Sequence, residues 1–304
     1  MQRRGFLRGL AGAALLPAVG TENAMAQPAM ITRPIPSSGE AMPVIGLGTW
    51  PVFDVGASEE ARRPLHEVVQ RLVEGGGRMI DTSPMYGRSE GVVGDIVAGL
   101  GVRPKVFLAT KVWISGRSFG IDQMHRSAQL LKSDAIDLMQ IHNLLDWRTQ
   151  LATIRDMKAN GKLRYIGITH YTTGALPELA RILETEPDID FVQLGYSLAT
   201  REPETRLLPV AAERKVAVIV NQPFERGELF AAVRGKALPD WAAEFDCTSW
   251  AQLFLKYLLG DPAVTCVIPA TNKPDHLADN LKAGFGRLPD AQQREQIRRF
   301  WSSV

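Results

Sequence analysis

The sequence predicts a (β/α)8 barrel, and three observations carry that expectation. Short apolar, β-rich runs recur eight times, as "PVIGLGTW", "GRMIDTS", "VFLATKVW", "IDLMQIHN", "RYIGITHY", "DFVQLGYS", "VAVIVNQP" and "VTCVIPAT", with helically spaced stretches between them. The runs end near residues 49, 81, 111, 142, 169, 193, 221 and 269, so most intervals span 24 to 32 residues, one strand–helix unit with two short loops. Each run is almost continuously apolar, the pattern of strands covered by helices on both faces. The competing doubly wound sheet carries a G-x-G-x-x-G turn after its first strand; here "GLGTW", around Gly48, lacks the third glycine.

The first 26 residues precede the fold. "MQRRGFLRGL" pairs Arg3 and Arg4 ahead of an apolar stretch, and "AMA" at 24–26 offers a small-x-small cleavage site. This order predicts a twin-arginine export signal cleaved after Ala26, with the export machinery as a partner and the periplasm as destination. The mature part, 27–304, then forms one barrel domain, and the whole chain's 45% hydrophobic and 22% charged residues suit a sizeable core. Export removes three of 35 basic and one of 33 acidic residues, leaving 32 of each. A neutral chain gives no support to nucleic-acid binding, and no apolar run reaches the roughly 18 residues that cross a bilayer.

A hairpin is expected around "ITRPIPSSGEAMPVIG". The helix in "SEEARRPLHEVVQRLVEGGG" opens on an N-cap, Ser58, followed by Glu59 and Glu60, and the helix in "TQLATIRDMKANGK" ends at a capping glycine, Gly161. Between the seventh and eighth strands "ERGELFAAVRGKALPDWAAEFDC" predicts a long loop with helical pieces on the open face. "LPDAQQREQIRRFWSSV" predicts one extra helix at the end. Cys247 and Cys266 match no metal spacing and read as two separate buried thiols, so no metal is expected.

In such a barrel the chemistry gathers where strands end, because those ends surround one cavity. Here they give Thr49, Asp81, Lys111, His142, Thr169 with His170, Gln193, and Asn221 with Gln222, and Tyr86 lies just beyond Asp81. That set suits proton donation to a developing alkoxide. A free phenol, with a pKa of about 10, is a weak donor at neutral pH; a neighbouring ammonium lowers that value, and a carboxylate keeps the ammonium charged. His142 can hydrogen-bond the substrate oxygen from the other side.

With these residues the chain resembles the aldo-keto reductases over essentially the whole mature length, through "GLGTW", "IDTSPMYGRSE", "ATKVW", "QIHN", "VQLGYSL" and "IPATNKPDHLADNL" in order. The resemblance implies NAD(P)H-dependent reduction of a small-molecule aldehyde or ketone, with Tyr86 as general acid, Lys111 and Asp81 as the pair that lowers its pKa, and His142 as the orienting group. It further implies a cofactor site built from Gly48, Thr49, Trp50, Thr169, His170, Gln193, Asn221, Gln222, Pro223, Phe224, Pro269, Ala270, Thr271, Lys273, His276 and Asn280, and a carbonyl pocket flanked by Trp50 and Trp113.

Four positions depart from the family pattern. His170 replaces an asparagine facing the nicotinamide carboxamide. Asn221 replaces the tyrosine that stacks on the nicotinamide, leaving Phe224 as the nearest ring in sequence. Ala270 and His276 replace a lysine and an arginine that hold the 2′-phosphate, so NADP(H) is favoured by the resemblance while NAD(H) stays open. Two other readings compete: Lys111 as a Schiff-base nucleophile, which an adjacent Asp81 disfavours by keeping it charged, and a barrel that binds the cofactor as a sensor with little turnover.

Overall fold

The computed structural model describes residues 29–304, so the export signal expected at 1–26 lies outside the described residues. Eight parallel strands follow one another in chain order around a single sheet: β3 (Leu47–Gly48), β4 (Met79–Asp81), β5 (Phe107–Val112), β6 (Ile136–His142), β7 (Leu163–His170), β8 (Phe191–Gly195), β9 (Ala217–Asn221) and β10 (Val264–Val267). Bridges from Ile45 to Val267 and from Gly48 to Ala270 close the sheet into a barrel. Closure depends on Gly48, because a Cβ there would lie 2.8 Å from the Ile268 carbonyl oxygen.

The expected hairpin is β1 (Thr32–Pro34) paired antiparallel with β2 (Ala41–Pro43). It plugs the N-terminal end of the barrel. Ile35 and Met42 are fully buried in one apolar cluster with Met79, Phe107, Leu138, Tyr165 and Phe191. Arg33 anchors the hairpin by donating to the carbonyls of Leu259, Asp261 and Val264.

The outer layer comprises α1 (Glu59–Glu74), α2 (Ser89–Gly99), α3 (Arg117–Leu130), α4 (Trp147–Ala159), α5 (Leu176–Thr185), α6 (Leu207–Glu213), α7 (Glu228–Ala232), α8 (Trp250–Leu259) and α9 (Pro274–Lys282). The caps fall where the sequence put them. Ser58 accepts from the Ala61 amide at the start of α1. At the end of α4, Gly161 adopts φ 70°, and the amides of Gly161 and Lys162 reach back to the carbonyls of Lys158 and Met157. The long interval between β9 and β10 holds α7, a short 3-10 helix at Asp240–Phe245 and α8.

The extra helix, α10 (Ala291–Trp301), opens on a capping box between Asp290 and Gln293. It is held by one buried guanidinium. Arg294 donates to Tyr196 Oη (2.6 Å), Glu204 Oε1 (3.0 Å) and Asp261 Oδ2 (3.1 Å). Cys247 and Cys266 are buried and form no disulfide with each other. No helix among the described residues is long and apolar enough to cross a membrane.

Candidate active site

Alternation along the strands decides which side chains enter the barrel. On β5, Phe107 and Ala109 belong to the interior cluster and Leu108 to the layer under the helices, so Lys111 points inward. On β6, Leu138 is interior and Met139 and Ile141 are exterior, so Gln140 and His142 point inward. Parallel register brings these groups to one level: Lys111 lies opposite Gln140, His142 opposite Thr169, and Thr169 opposite Gln193. The interior is apolar at the hairpin end and polar at the C-terminal end, and the site is that last, polar layer.

Its centre is an ion pair sealed from water. Lys111 and Asp81 are 0% and 3% exposed, with Lys111 Nζ donating to Asp81 Oδ2 at 2.7 Å and to the Thr82 carbonyl at 2.8 Å. The other carboxylate oxygen, Oδ1, accepts from Gln193 Nε2 (2.8 Å) and Gln140 Nε2 (3.1 Å). A buried charge is tolerable only when paired and fully hydrogen-bonded, and here both conditions hold. Burial alone would lower the Lys111 pKa, but Asp81 and Tyr86 outweigh it and raise the value, so the ammonium persists.

Tyr86 stands over this pair, with Lys111 Nζ 5.0 Å from its ring centre. Here one expectation is corrected. The Tyr86 pKa is raised rather than lowered: burial is the largest cause, and Asp81 adds to it, while Lys111 pulls downward without prevailing. The physical reason is that the same enclosure that strengthens the ammonium's influence also removes the water a phenolate needs. The phenol is therefore held in its protonated form, with the ammonium beside its ring.

His142 meets Tyr86 edge-on, with ring centres 5.8 Å apart. Burial, Lys111 and His170 push its pKa down to about 3, so it is a neutral imidazole at ordinary pH. Its Nδ1 is 3.0 Å from Ser83 Oγ, which leaves Nε2 as the unengaged ring nitrogen.

A cavity of about 920 Å³ opens above this layer, near the upper end of ligand-site sizes. Of the residues expected from sequence, Gly48, Thr49, Trp50, Asp81, Tyr86, His142, Thr169, Gln193, Asn221, Gln222, Pro223, Phe224, Ala270, Thr271, His276 and Asn280 line it. Four do not. His170 turns away, its Nδ1 accepting from the Thr172 amide and its ring stacked on Tyr171. Pro269 is spent on barrel closure, its carbonyl accepting from Gly48. Lys273 caps α9 and is exposed. Trp113 stands on the rim, its ring centre 6.2 Å from that of His142. Lys111 lies beneath the cavity floor, reaching it through Tyr86.

Asn221, at the position of the missing ring, donates to Gln193 Oε1 at 3.2 Å, and among the described residues its own buried Oδ1 has no partner. Rings enter the lining elsewhere, from Trp50, Tyr171, Phe224, Phe230 and Trp250. No group of three or more His, Cys, Asp or Glu that could hold a metal occurs among the described residues.

Reading strand ends alone misses Gln140 and Ser83. Gln140 carried a signal: it is a polar residue two places before His142 in an otherwise apolar run, hence on the same inward face. Gly167 makes room for it, since a Cβ there would lie 3.2 Å from Gln140 Cγ. Ser83 had no periodic signal, because it lies past the end of β4.

Comparison with known proteins gives a consistent result. The profile described as the aldo/keto reductase family matches residues 44–301. Methylglyoxal reductase YeaE of Escherichia coli (strain K12) is 28% identical over 259 residues, 83% of this chain and 89% of that protein. Methylglyoxal reductase DkgB of Escherichia coli O157:H7 is 29% identical over 271 residues, 84% and 92% of the two chains. Aldo-keto reductase YhdN of Bacillus subtilis aligns at 27% identity over only 63% of its own length. Among solved structures, an aldo-keto reductase from Klebsiella pneumoniae in complex with NADPH superposes with a TM-score of 0.74 at 24% identity, covering 90% of this chain and 96% of that one.

Proposed function

The chain belongs to the aldo/keto reductase family, and from that premise we propose that it reduces an aldehyde or ketone to an alcohol with NADPH, Tyr86 Oη supplying the proton. The observation that carries this reading is the sealed Asp81–Lys111 pair directly beneath a phenol that opens on the cavity. YeaE and DkgB are named for methylglyoxal, and the Klebsiella pneumoniae protein is described with NADPH; both support a carbonyl substrate and this cofactor.

The cavity's donor set fits a nicotinamide dinucleotide. The amides of Gln193 and Asn221, with the free Oδ1 of Asn221, suit a carboxamide, and Asn280 and Thr271 suit a purine nucleoside. When bound, that cofactor supplies hydride to the carbonyl carbon. The chain's own residues do the rest. The neutral His142 points its free nitrogen at the cavity and orients the carbonyl oxygen. Tyr86 Oη gives up its proton to that oxygen as negative charge develops there. The Lys111 ammonium stabilises the resulting phenolate at short range in a water-poor site, where such interactions are strongest. Asp81, fixed by Gln140 and Gln193, keeps Lys111 charged through the cycle.

Titration of the mature chain with NADPH and NADH, followed by tryptophan fluorescence, and then a carbonyl screen with the tighter cofactor, tests the reading. Cofactor-dependent reduction supports it; tight binding with no turnover on any carbonyl makes the protein a cofactor sensor instead. Export by the twin-arginine route belongs to the same proposal. It requires that Arg3→Lys/Arg4→Lys retain the protein in the cytoplasm uncleaved; a variant still processed after Ala26 would remove it.

A further inference from the structure

An ionised carboxylate can only accept hydrogen bonds, and at Asp81 that fixes the direction of the amides attached to it. Asp81 Oδ1 must receive an N–H, so Gln193 turns Nε2 toward it at 2.8 Å and holds Oε1 the other way. That oxygen in turn receives Thr169 Oγ1 at 3.3 Å and Asn221 Nδ2 at 3.2 Å, which fills both its lone pairs. Asn221 is thereby oriented as well. Its NH2 is committed to Gln193, and its Oδ1 is left as an acceptor, buried and without a partner among the described residues. The charge on Asp81 thus sets the polarity of a side chain two hydrogen bonds away.

Strand β9 delivers Asn221 to this place. Ala217 and Ile219 belong to the interior cluster, and Val218 and Val220 to the layer under the helices, so Asn221 points inward and lines the cavity. The other polar groups of the lining differ from it. Asn143, Gln222 and Asn280 have no link to the Asp81 shell among the described residues, so that shell does not choose which end of their amides faces a ligand. Arg226 can only donate, and the Asp279 carboxylate on α9 is taken up by Ser249 and Gln252. His170, standing where the family pattern has a carboxamide-facing asparagine, turns instead to Thr172 and Tyr171. Gln193 keeps one N–H and no acceptor.

Resting on the reductase reading, we propose that Asn221 sets specificity for the nicotinamide ring: its Oδ1, oriented by Asp81 through Gln193, takes an amide N–H of the cofactor and disfavours a ring substituent that has none. The position that the family fills with a stacking ring works in this chain by hydrogen-bond polarity, and Gln193 acts through Asn221 as a positioning residue.

The experiment titrates the mature chain calorimetrically with three oxidised dinucleotides that differ only in the ring substituent. NADP+ carries the carboxamide. Its thiocarboxamide analogue keeps the N–H groups, and its 3-acetyl analogue keeps the C=O but has a methyl group in place of NH2. A methyl group set against a buried acceptor leaves it unpaired, so the acetyl form should bind about 10- to 100-fold more weakly than NADP+. The thio form should bind within about threefold of NADP+. Asn221→Ala should bring all three Kd values within about threefold of one another. Gln193→Leu should do the same with Asn221 intact, because the amide can then turn either way. Equal wild-type Kd values for the acetyl and carboxamide forms, with carbonyl reduction present, overturn the inference and spare the reductase; this comparison needs no variant. A preference that survives Asn221→Ala or Gln193→Leu also overturns it. The full pattern with no turnover on any carbonyl sustains the inference and removes the reductase, and failure to bind any of the three removes both.

Discussion

Replacing Asp81 with asparagine tests the electrostatic centre of the site while keeping its shape. The wild-type carboxylate receives three donors, Lys111 Nζ on Oδ2 and the Gln140 and Gln193 amides on Oδ1. An asparagine must turn its NH2 either toward the ammonium or toward the two amides. Turned toward the amides, it can be met by a flipped Gln140, whose Oε1 is buried without a partner among the described residues. It cannot be met by a flipped Gln193 without losing the Asn221 contact. Either way a fully buried ammonium loses its counter-ion. Breaking one partner out of a buried ion pair costs about 3–5 kcal/mol. For 276 described residues, with an unfolding entropy on the order of 0.6 kcal/mol/K, that is roughly 5–9 °C in Tm.

The pH dependence gives a second, independent handle on Asp81→Asn. In the wild type the Lys111 pKa is raised on folding, so its contribution is complete below the unfolded value of about 10.4 and is lost only as pH rises through the folded value. In the variant, Tyr86 alone is left to oppose burial, the largest single cause, and the pKa is expected to fall. The unfolded chain then binds a proton the folded chain does not, and the variant gains stability as pH rises toward 10. Thermal unfolding monitored by circular dichroism at pH 7 and pH 9.5 reads both slopes. The turnover rate should fall about 100-fold at pH 7, since an uncharged lysine no longer stabilises phenolate. A variant with wild-type Tm, wild-type pH slope and wild-type rate refutes the claim that this pair organises the site.

Two further outcomes follow from the same structure. Ser83 Oγ accepts from the Met85 amide at 3.2 Å and faces His142 Nδ1 at 3.0 Å, so its hydroxyl proton is free to donate to Nδ1 and place the imidazole proton on Nε2. Ser83→Ala should therefore lower kcat about 10-fold with little change in cofactor Kd, and 15N NMR of the His142 ring should shift from a single Nε2–H tautomer to a mixture; an unchanged spectrum contradicts the role. Arg294→Leu, which strips the guanidinium shared by Tyr196, Glu204 and Asp261, should cost about 3–5 kcal/mol. Burial alone would raise the Glu204 pKa, but hydrogen bonds from Tyr196 and Tyr257 and the charges of Arg294 and Arg298 hold it below the usual range. Its stabilisation is thus present above the unfolded value of about 4.3 and lost as pH falls through the folded one. Arg294→Leu should flatten that acid limb in urea titrations between pH 3 and 5, and an unaltered limb would exclude the assignment.

Strand ends were the most legible feature of the sequence, because β-rich runs punctuated by glycine, proline and caps determine where each strand stops. The runs ending at Asp81, His142 and Asn221 stop where the structure stops them, and Ser58 and Gly161 cap their helices as read. A single polar residue at the end of an apolar run also singled out Asp81, Lys111 and His142, which the structure brings to one layer of the barrel. What remained hidden depends on three-dimensional balance. The direction of the Tyr86 shift is a contest between burial and Lys111, and composition cannot weigh the two. His170 sits one residue past Thr169 and, by the two-residue period of a strand, faces away from Gln193 toward Tyr171; its side chain type drew it into the site where its register excluded it. Gln140 was hidden only by attention to ends rather than to faces.

The central claim is that Tyr86 Oη delivers the proton. Single-turnover reduction of decanal by Tyr86→Phe, with NADPH affinity measured in the same preparation, tests it most directly. Loss of one hydroxyl from a phenol whose ring still fills its place should slow the chemical step about 100- to 10,000-fold, with the NADPH Kd unchanged within about twofold. A Phe variant that reduces the aldehyde at the wild-type rate would contradict the account.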